Sequence, residues 1–299
     1  MSERPSVFKF PPELERAIFL LVAEERPASI PTLMLVAVRV KEWVQPVLYR
    51  TLVFNPEEAV PALPSITKSN LDSFIQTLEK NLTIAQRSVR NVIISQLDDL
   101  QVTKLLTLLP TVKNLYLMLT GDSDELDEGL EAPFNALTNL TRLYCGAQDL
   151  IVLTQNFEYV VPAFSRLTHL TVCGGWDDEE DVEGIQEGLD FFKALPQVTH
   201  LCFTGGMVCF EQLAVWVLEQ CAGLQTFVFS TEEPDHLLDG LMKDERFVVI
   251  EFSQDEDADW QRWALTGQDF WIEADEWVKR RKAGEVEHPY PFREDAWML

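Results

Sequence analysis

The chain has 299 residues, of which 46% are hydrophobic, so it can bury a substantial core in one large domain or two smaller ones. Its formal net charge is −25 at pH 7. This charge argues against binding to nucleic acid and against attachment to an anionic membrane surface, because both are negatively charged and would repel it.

The cysteines and the first residues indicate the cellular compartment. The five cysteines are odd in number and unclustered, which predicts free thiols in a reducing environment. The opening residues lack the apolar core of a signal peptide, and the apolar run from Ile30 to Val38 is too short to span a bilayer. We expect an intracellular protein, cytoplasmic or nuclear, without a membrane partner.

Two helices are predicted in the first 54 residues. The first begins after Pro11, since proline is tolerated in a first helical turn. The second follows Ser29, ends at Pro46, and is apolar on nearly all sides. A module of this size cannot bury so much apolar surface by itself. The helices must therefore pack on the rest of the chain or bind another protein.

The order of residues in this module resembles an F-box, in the F-box-like form that precedes degenerate leucine-rich repeats in fungal proteins. The start matches at Pro12, Glu13, Leu14 and Ile18, and the later part matches at Leu33, Val36, Arg39, Trp43 and Leu48. The resemblance implies docking to the adaptor of a cullin–RING ubiquitin ligase. The implied contact residues are Pro12, Leu14, Ile18, Leu33, Val36, Val40, Trp43 and Leu48. The alternative is that the helices only cap the following domain.

Residues 55–88 are predicted to connect this module to a repeated pattern over residues 89–253. The segment 55–70 contains three prolines and has no helical period. From residue 89, the pattern apolar-x-x-apolar-x-apolar occurs seven times. The middle apolar residues of the copies are Val92, Leu115, Leu143, Leu170, Leu201, Phe227 and Ile250. Helices are expected between copies, at Asp98–Leu109, Asp181–Leu195 and Phe210–Cys221.

A strand and a helix every 20–30 residues are typical of a solenoid, and the pattern resembles a degenerate leucine-rich repeat. The predicted fold is an α/β, leucine-rich-repeat-like solenoid with a small helical F-box-like N-terminal module. Residues 254–299 are expected to form a Trp-rich helical cap, although a Trp-rich partner site is also conceivable. The alternative fold is an ordinary α/β sheet whose strands are covered on both faces.

The repeat also predicts which strand side chains point away from the core. Side chains alternate along a strand, so the residues that flank each middle position should point to the opposite face. In a solenoid this face would be open and would bind the target protein, and the acidic loops or the C-terminal helix could alternatively cover it. The expected target-binding residues are Asn114, Tyr116, Arg142, Tyr144, His169 and His200.

No catalytic motif is present in the sequence, so we expect a protein that is not an enzyme and needs no cofactor. His169, His200 and Cys202 would be neighbours on the strands, but such a set is more often accidental than a zinc site, and no metal is predicted. The expected function is protein recognition, as the substrate receptor of a cullin–RING (SCF-type) ubiquitin ligase. The alternative is a repeat-based scaffold or ligand-binding protein.

Overall fold

A computed structural model describes residues 10–56, 59–119, 129–154, 161–174, 189–205, 210–231, 239–251, 253 and 255–291. Within these ranges, nine parallel strands form one sheet in the order β2-β1-β3-β4-β5-β6-β7-β8-β9. The strands are β1 (Thr51–Phe54), β2 (Ser65–Ile66), β3 (Asn91–Leu97), β4 (Asn114–Leu119), β5 (Arg142–Gly146), β6 (His169–Cys173), β7 (His200–Thr204), β8 (Thr226–Thr231) and β9 (Phe247–Glu251).

Helices connect most of these strands. The helices, including those before β1 and after β9, are α1 (Pro12–Glu25), α2 (Ile30–Leu33), α3 (Val38–Leu48), α4 (Leu71–Lys80), α5 (Leu82–Ser88), α6 (Asp99–Leu108), α7 (Glu131–Asn135), α8 (Ala147–Leu153), α9 (Phe210–Gln220), α10 (Asp239–Met242), α11 (Glu256–Thr266) and α12 (Phe270–Lys282). The predicted helix over Asp98–Leu109 is confirmed as α6, whose N-cap is Asp98. The helix predicted over Asp181–Leu195 lies mostly outside the described residues, which include a helical segment at 189–194.

The strand register follows the repeat for six of the seven copies. Val92 pairs with Leu115, and the middle residues continue in line through Leu143 to Phe227. The seventh copy is misplaced, because Phe227 pairs with Phe247 rather than with Ile250. Ile250 lies three positions after Phe247, and successive side chains of a strand point to opposite faces. Ile250 therefore points to the opposite face of the sheet from the other middle residues.

One face of the sheet packs against helices α4 to α10 and forms the main hydrophobic core. The opposite face is covered by α11 and α12, which bury a second set of apolar strand side chains. Val228 and Val248 contact the α12 side, and Ile93 and Tyr116 lie in the cluster that includes Trp260 of α11. The strands are therefore apolar on both sides, as in parallel sheets that are buried on both faces.

The leucine-rich-repeat solenoid is therefore the wrong prediction, although the α/β class is right. One continuous, all-parallel sheet with helices on both faces fits the class of Rossmann-like and TIM-like folds. The repeated pattern reflects the alternation of strands and helices. It does not by itself distinguish a solenoid from a parallel sheet that is covered on both faces. The alternative fold of the sequence analysis was a sheet whose strands are covered on both faces. The structure has this arrangement because α11 and α12 cover the second face.

The N-terminal helices form a small core of their own around Ala23, Ile30, Val40 and Val44. The second predicted helix is broken, because residues 34–36 form a turn and Ala37 is extended with φ −163° and ψ 156°. Pro46 lies within the last turn of α3 and does not end it. The region looked apolar on all sides because its residues belong to a turn and to two helices with different directions.

The segment 55–88, predicted as a connection, is mostly structured. It contributes β2 to the sheet edge and both α4 and α5 to the core. Leu71, Ile75 and Leu78 of α4 are buried, at the spacing of one helical face. Likewise β1, placed by the prediction in the N-terminal module, is part of the sheet.

Arg281 fastens the C-terminal helices to the edge of the sheet. Its side chain is 5% exposed, and its guanidinium donates hydrogen bonds to four backbone carbonyls. The acceptors are Met242, Asp244, Phe247 and Glu287, at 2.5, 2.6, 2.6 and 3.2 Å. The planar fork of arginine suits such a set of acceptors, since its donors point in fixed directions.

We therefore expect Arg281→Ala to lower the free energy of unfolding by roughly 3 kcal/mol or more, because it leaves buried carbonyls without donors. The matched control is Lys282→Ala, which removes an exposed cation from the next position and should change stability by about 0.5 kcal/mol or less. Chemical denaturation of both variants measures the difference. Equal stabilities would contradict this role for Arg281.

Candidate functional site

The N-terminal helices expose an unusual amount of apolar surface. Leu14, Ile18 and Leu21 follow one another along one side of α1, and each is about half exposed. The turn before α3 exposes Leu35 and Val36, which are 85% and 60% accessible. We call the exposed apolar side chains of residues 10–38 the N-terminal apolar face; they are Phe10, Leu14, Ile18, Leu21, Leu35, Val36 and Val38.

An ion pair relates the two parts of this face. The guanidinium of Arg39 donates to both carboxylate oxygens of Glu15, with Nη2 2.7 Å from Oε1 and Nε 3.2 Å from Oε2. Its Glu15 contact raises the pKa of Arg39, so the charge is retained. The pair holds the start of α3 beside the first turns of α1. Because Arg39 is exposed, the pair adds orientation more than stability.

The predicted adaptor-binding residues fall into two groups. Pro12, Leu14, Ile18 and Val36 are exposed and available to a partner. Val40 is fully buried, and Leu33, Trp43 and Leu48 pack partly buried around it. The first group can make contacts with another protein, whereas the second holds the three helices together.

The predicted target-binding residues are neighbours in the sheet. Asn114, Arg142, His169 and His200 pair in sequence across β4 to β7. The rings of Tyr116 and Tyr144 stack with centroids 4.3 Å apart, and those of His169 and His200 stack at 4.1 Å. The predicted register of these side chains is therefore confirmed.

The predicted exposure is wrong for Tyr116, Tyr144 and His200, because α11 and α12 cover them, whereas Asn114, Arg142 and His169 are half-buried. Tyr116, Tyr144 and His200 are only 5, 2 and 8% exposed. Trp260 packs edge-on against both tyrosines, with centroids 5.8 and 6.2 Å away. Trp271 packs edge-on against both histidines, at 5.3 and 5.4 Å. This face is therefore an internal interface between the sheet and the C-terminal helices.

Four polar contacts join the strands to the C-terminal helices across this interface. Arg142 forms an ion pair with Asp269, and the hydroxyl of Tyr144 donates to Glu256. Asp275 accepts hydrogen bonds from His200 Nε2 at 3.0 Å and from Thr226 Oγ1 at 2.6 Å. The strand residues were identified from the sequence, but their partners on the helices were missed. The acidic residues Glu256, Asp269 and Asp275 beside the tryptophans were the available signal.

Burial shifts the protonation of this interface. Burial lowers the pKa of His169, and with the electrostatic effects of His200 and Arg142 in the same direction it reaches about 3. Burial alone would raise the pKa of Asp275, but hydrogen bonds from His200 and Thr226 hold it below its ordinary value. His169 is therefore neutral near pH 7.

The thiols offer little chemistry. The four described cysteines are free, as predicted, and Cys209 lies outside the described residues. Burial raises the pKa of Cys145, Cys173, Cys202 and Cys221, which disfavours the nucleophilic thiolate. Within the described ranges, no group of three or more His, Cys, Asp and Glu side chains could hold a metal ion. Among the helices in those ranges, none is long and apolar enough to cross a membrane.

No protein-family model matches the sequence, and no curated protein is significantly similar to it. The function therefore has to be inferred from the sites, since a fold alone does not define an activity. The two features with binding chemistry are the N-terminal apolar face and a cavity of about 600 Å³ between the sheet and the helices α11 and α12.

The His169 ring should remain neutral until the pH approaches about 3, whereas an unfolded chain titrates near 6.5. Because the folded pKa is depressed, the stability linked to His169 is present above pH 6.5 and is lost as the pH falls toward 3. Proton NMR of the imidazole should show no titration of His169 between pH 8 and pH 5. His169→Gln identifies the resonance, and a midpoint above about pH 5.5 would refute the assignment.

Proposed function

We propose that this chain is a protein-recognition component resembling the substrate receptor of a cullin–RING (SCF-type) ubiquitin ligase. In this proposal α1 to α3 dock the adaptor through the N-terminal apolar face. The observation that carries it is the exposure of Leu14 and Ile18 on α1, and of Leu35 and Val36 in the turn before α3, in a module that has its own buried core. Other subunits would carry out the ubiquitin transfer.

The alternative, that the N-terminal helices only cap the following domain, explains only part of their apolar surface. A cap uses its apolar side chains to cover the end of a domain, and Tyr49 does pack against the main core. The residues of the N-terminal apolar face do not, because about half or more of each side chain remains accessible. Contiguous exposed apolar surface of this kind is typical of sites that bind another protein.

Helical docking is consistent with the spacing of these residues. Leu14, Ile18 and Leu21 lie at positions i, i+4 and i+7, the pattern by which a helix presents one face to a partner groove. Glu13, Glu15 and Arg39 surround the stripe with charge, giving it a polar border. An apolar centre with a polar rim is the usual composition of a protein interface.

The target would bind elsewhere than first predicted. Tyr116, Tyr144 and His200 are internal, so a target cannot contact them while α11 and α12 cover the sheet. The proposed assignment therefore rests on the adaptor-binding module alone.

The test is co-expression with the ligase adaptor, followed by gel filtration. The unaltered chain should co-elute with the adaptor, and Leu14→Asp with Ile18→Asp should weaken the complex at least about tenfold, since each buried side chain is worth roughly 1.5–3 kcal/mol. Both positions are exposed, so the thermal midpoint of the isolated variant should hardly change.

Leu100→Asp is the matched control, because Leu100 is similarly exposed at 53% but lies on α6. It should leave co-elution intact. Val40→Asp should instead unfold the N-terminal module, because Val40 is in its core. If the unaltered chain fails to co-elute, or if the double variant binds as well as Leu100→Asp, the proposed docking is incorrect.

A further inference from the structure

A cavity of about 600 Å³ lies between the strands β5 to β9 and the helices α11 and α12. Its size is within the range of pockets that enclose small molecules, roughly 300–1,000 Å³. Tyr144, Thr171 and Cys202 contribute to its floor from the sheet, and Trp260 and Trp271 contribute from the helices. The cavity is separate from the N-terminal apolar face, so its function is independent of the proposed adaptor docking.

Aromatic rings form much of its wall. They belong to Tyr144, Trp260, Trp263, Phe270 and Trp271. The rings of Trp260 and Trp263 meet at 71° with centroids 5.2 Å apart, and those of Phe270 and Trp271 are 4.6 Å apart. Such walls can hold an apolar body, and their negative π faces also attract a cation. The guanidinium of Arg142 already lies 4.7 Å from the Trp263 ring centre.

The charges of the lining are unequal. Its two arginines, Arg142 and Arg262, are each paired with an aspartate that also lines the cavity. The described lining has three further carboxyl groups, and these are Glu251, Glu256 and Glu273. Glu251 and Glu273 carry the excess of negative charge, and Glu256 adds to it when it is ionised. This negative charge would repel an anionic ligand and attract a cationic one.

A buried hydroxyl in the lining lacks a full partner. Thr204 is 3% exposed, and within the described part of the chain its Oγ1 has no hydrogen-bonding oxygen or nitrogen. The thiol of Cys173 interacts with Thr204 and lies 3.6 Å from Glu256 Oε2. Sulfur is a weak hydrogen-bonding group. Thr204 and Glu256 therefore adjoin the same thiol. The Thr204 hydroxyl has almost no accessible surface, so Glu256 is the group of this pair that a ligand in the cavity can reach.

We propose that this cavity binds a protonated amine carried on an apolar or aromatic body. The ammonium donates to Glu256, and the body lies among Trp260, Trp263 and Phe270. The lining supplies the carboxylates and the aromatic walls that such a ligand requires.

The protonation of Glu256 supports this assignment. Burial, together with the negative charge of Asp259, raises its pKa to about 8. Without a ligand the carboxyl is therefore mostly protonated at pH 7. A cation beside it favours the carboxylate, so binding should release a proton. Affinity should rise as the pH increases toward 8, for as long as the amine itself stays protonated.

The probe is 2-phenylethylamine, with 2-phenylethanol as the neutral analogue and phenylacetate as the anionic one. Titration calorimetry near neutral pH should show binding of the amine at least about tenfold tighter than that of either analogue, because only the amine offers the compensating charge. Measurements in two buffers of different ionisation enthalpy should show proton release.

Two variants locate the ammonium. Glu256→Gln should weaken amine binding about tenfold and abolish proton release, because it removes the carboxylate. Thr204→Val should leave both the affinity for the amine and the thermal midpoint nearly unchanged, because the hydroxyl it removes is unsatisfied and is not open to the ligand. Glu276→Gln is the matched control on α12, since Glu276 is exposed and does not line the cavity. It should change nothing.

The proposal is overturned if 2-phenylethylamine does not bind to the folded chain. It is also overturned if the alcohol binds equally well or if phenylacetate is preferred, because the charge of the lining would then not decide the ligand. Thermal unfolding of every variant shows whether a loss of binding reflects a loss of folding.

Discussion

The structure depends on the contact between the second face of the parallel sheet and the helices α11 and α12. Without these helices, a row of polar and aromatic strand side chains would be in water, including Tyr144 and His200. With them, Arg142 pairs with Asp269 and His200 with Asp275, so the buried charges and rings are matched. A buried polar group without its partner is costly. The same pairing that permits this interface therefore also fixes the position of the helices.

The interface is well matched at its rims and less so in its interior. Arg281 holds one end of α12 against the sheet edge, and Ser95 and Val60 contact Asp257 and Gln261 of α11. Between these attachments, part of the space between β5 to β9 and the two helices is left unfilled and forms a cavity. A cavity with an unsatisfied hydroxyl and a protonated carboxyl gives no benefit to folding. Its persistence in an otherwise closely packed protein is more readily explained by binding than by stability.

Much of the sheet could be predicted from the sequence, because strand residues facing a core recur at local, regular positions. Val92 through Phe227 are aligned as their spacing indicates. The cover could not be predicted in the same way. Its contacts join residues far apart, such as Arg142 and Asp269, and no local period relates them. The slip at Phe247 has a similar cause, since β9 is apolar at consecutive positions and its two faces cannot be told apart by pattern. At the N-terminal apolar face, the residue types were predicted but the break at Ala37 was not, because a run of helix-favouring residues hides a turn.

The position of α11 in the chain has a consequence for synthesis on the ribosome. This helix follows all nine strands in sequence, yet it contacts β3, and Ser95 donates to Asp257 across 162 residues. Domains emerge from the ribosome N-terminal end first. While β3 to β9 are being made, the stacked tyrosines and histidines are therefore without their cover, and the nascent sheet exposes a face that resembles an unfinished interface. Contacts of such long sequence separation also form slowly. This period of exposure is when the growing chain would most need the protection of a chaperone.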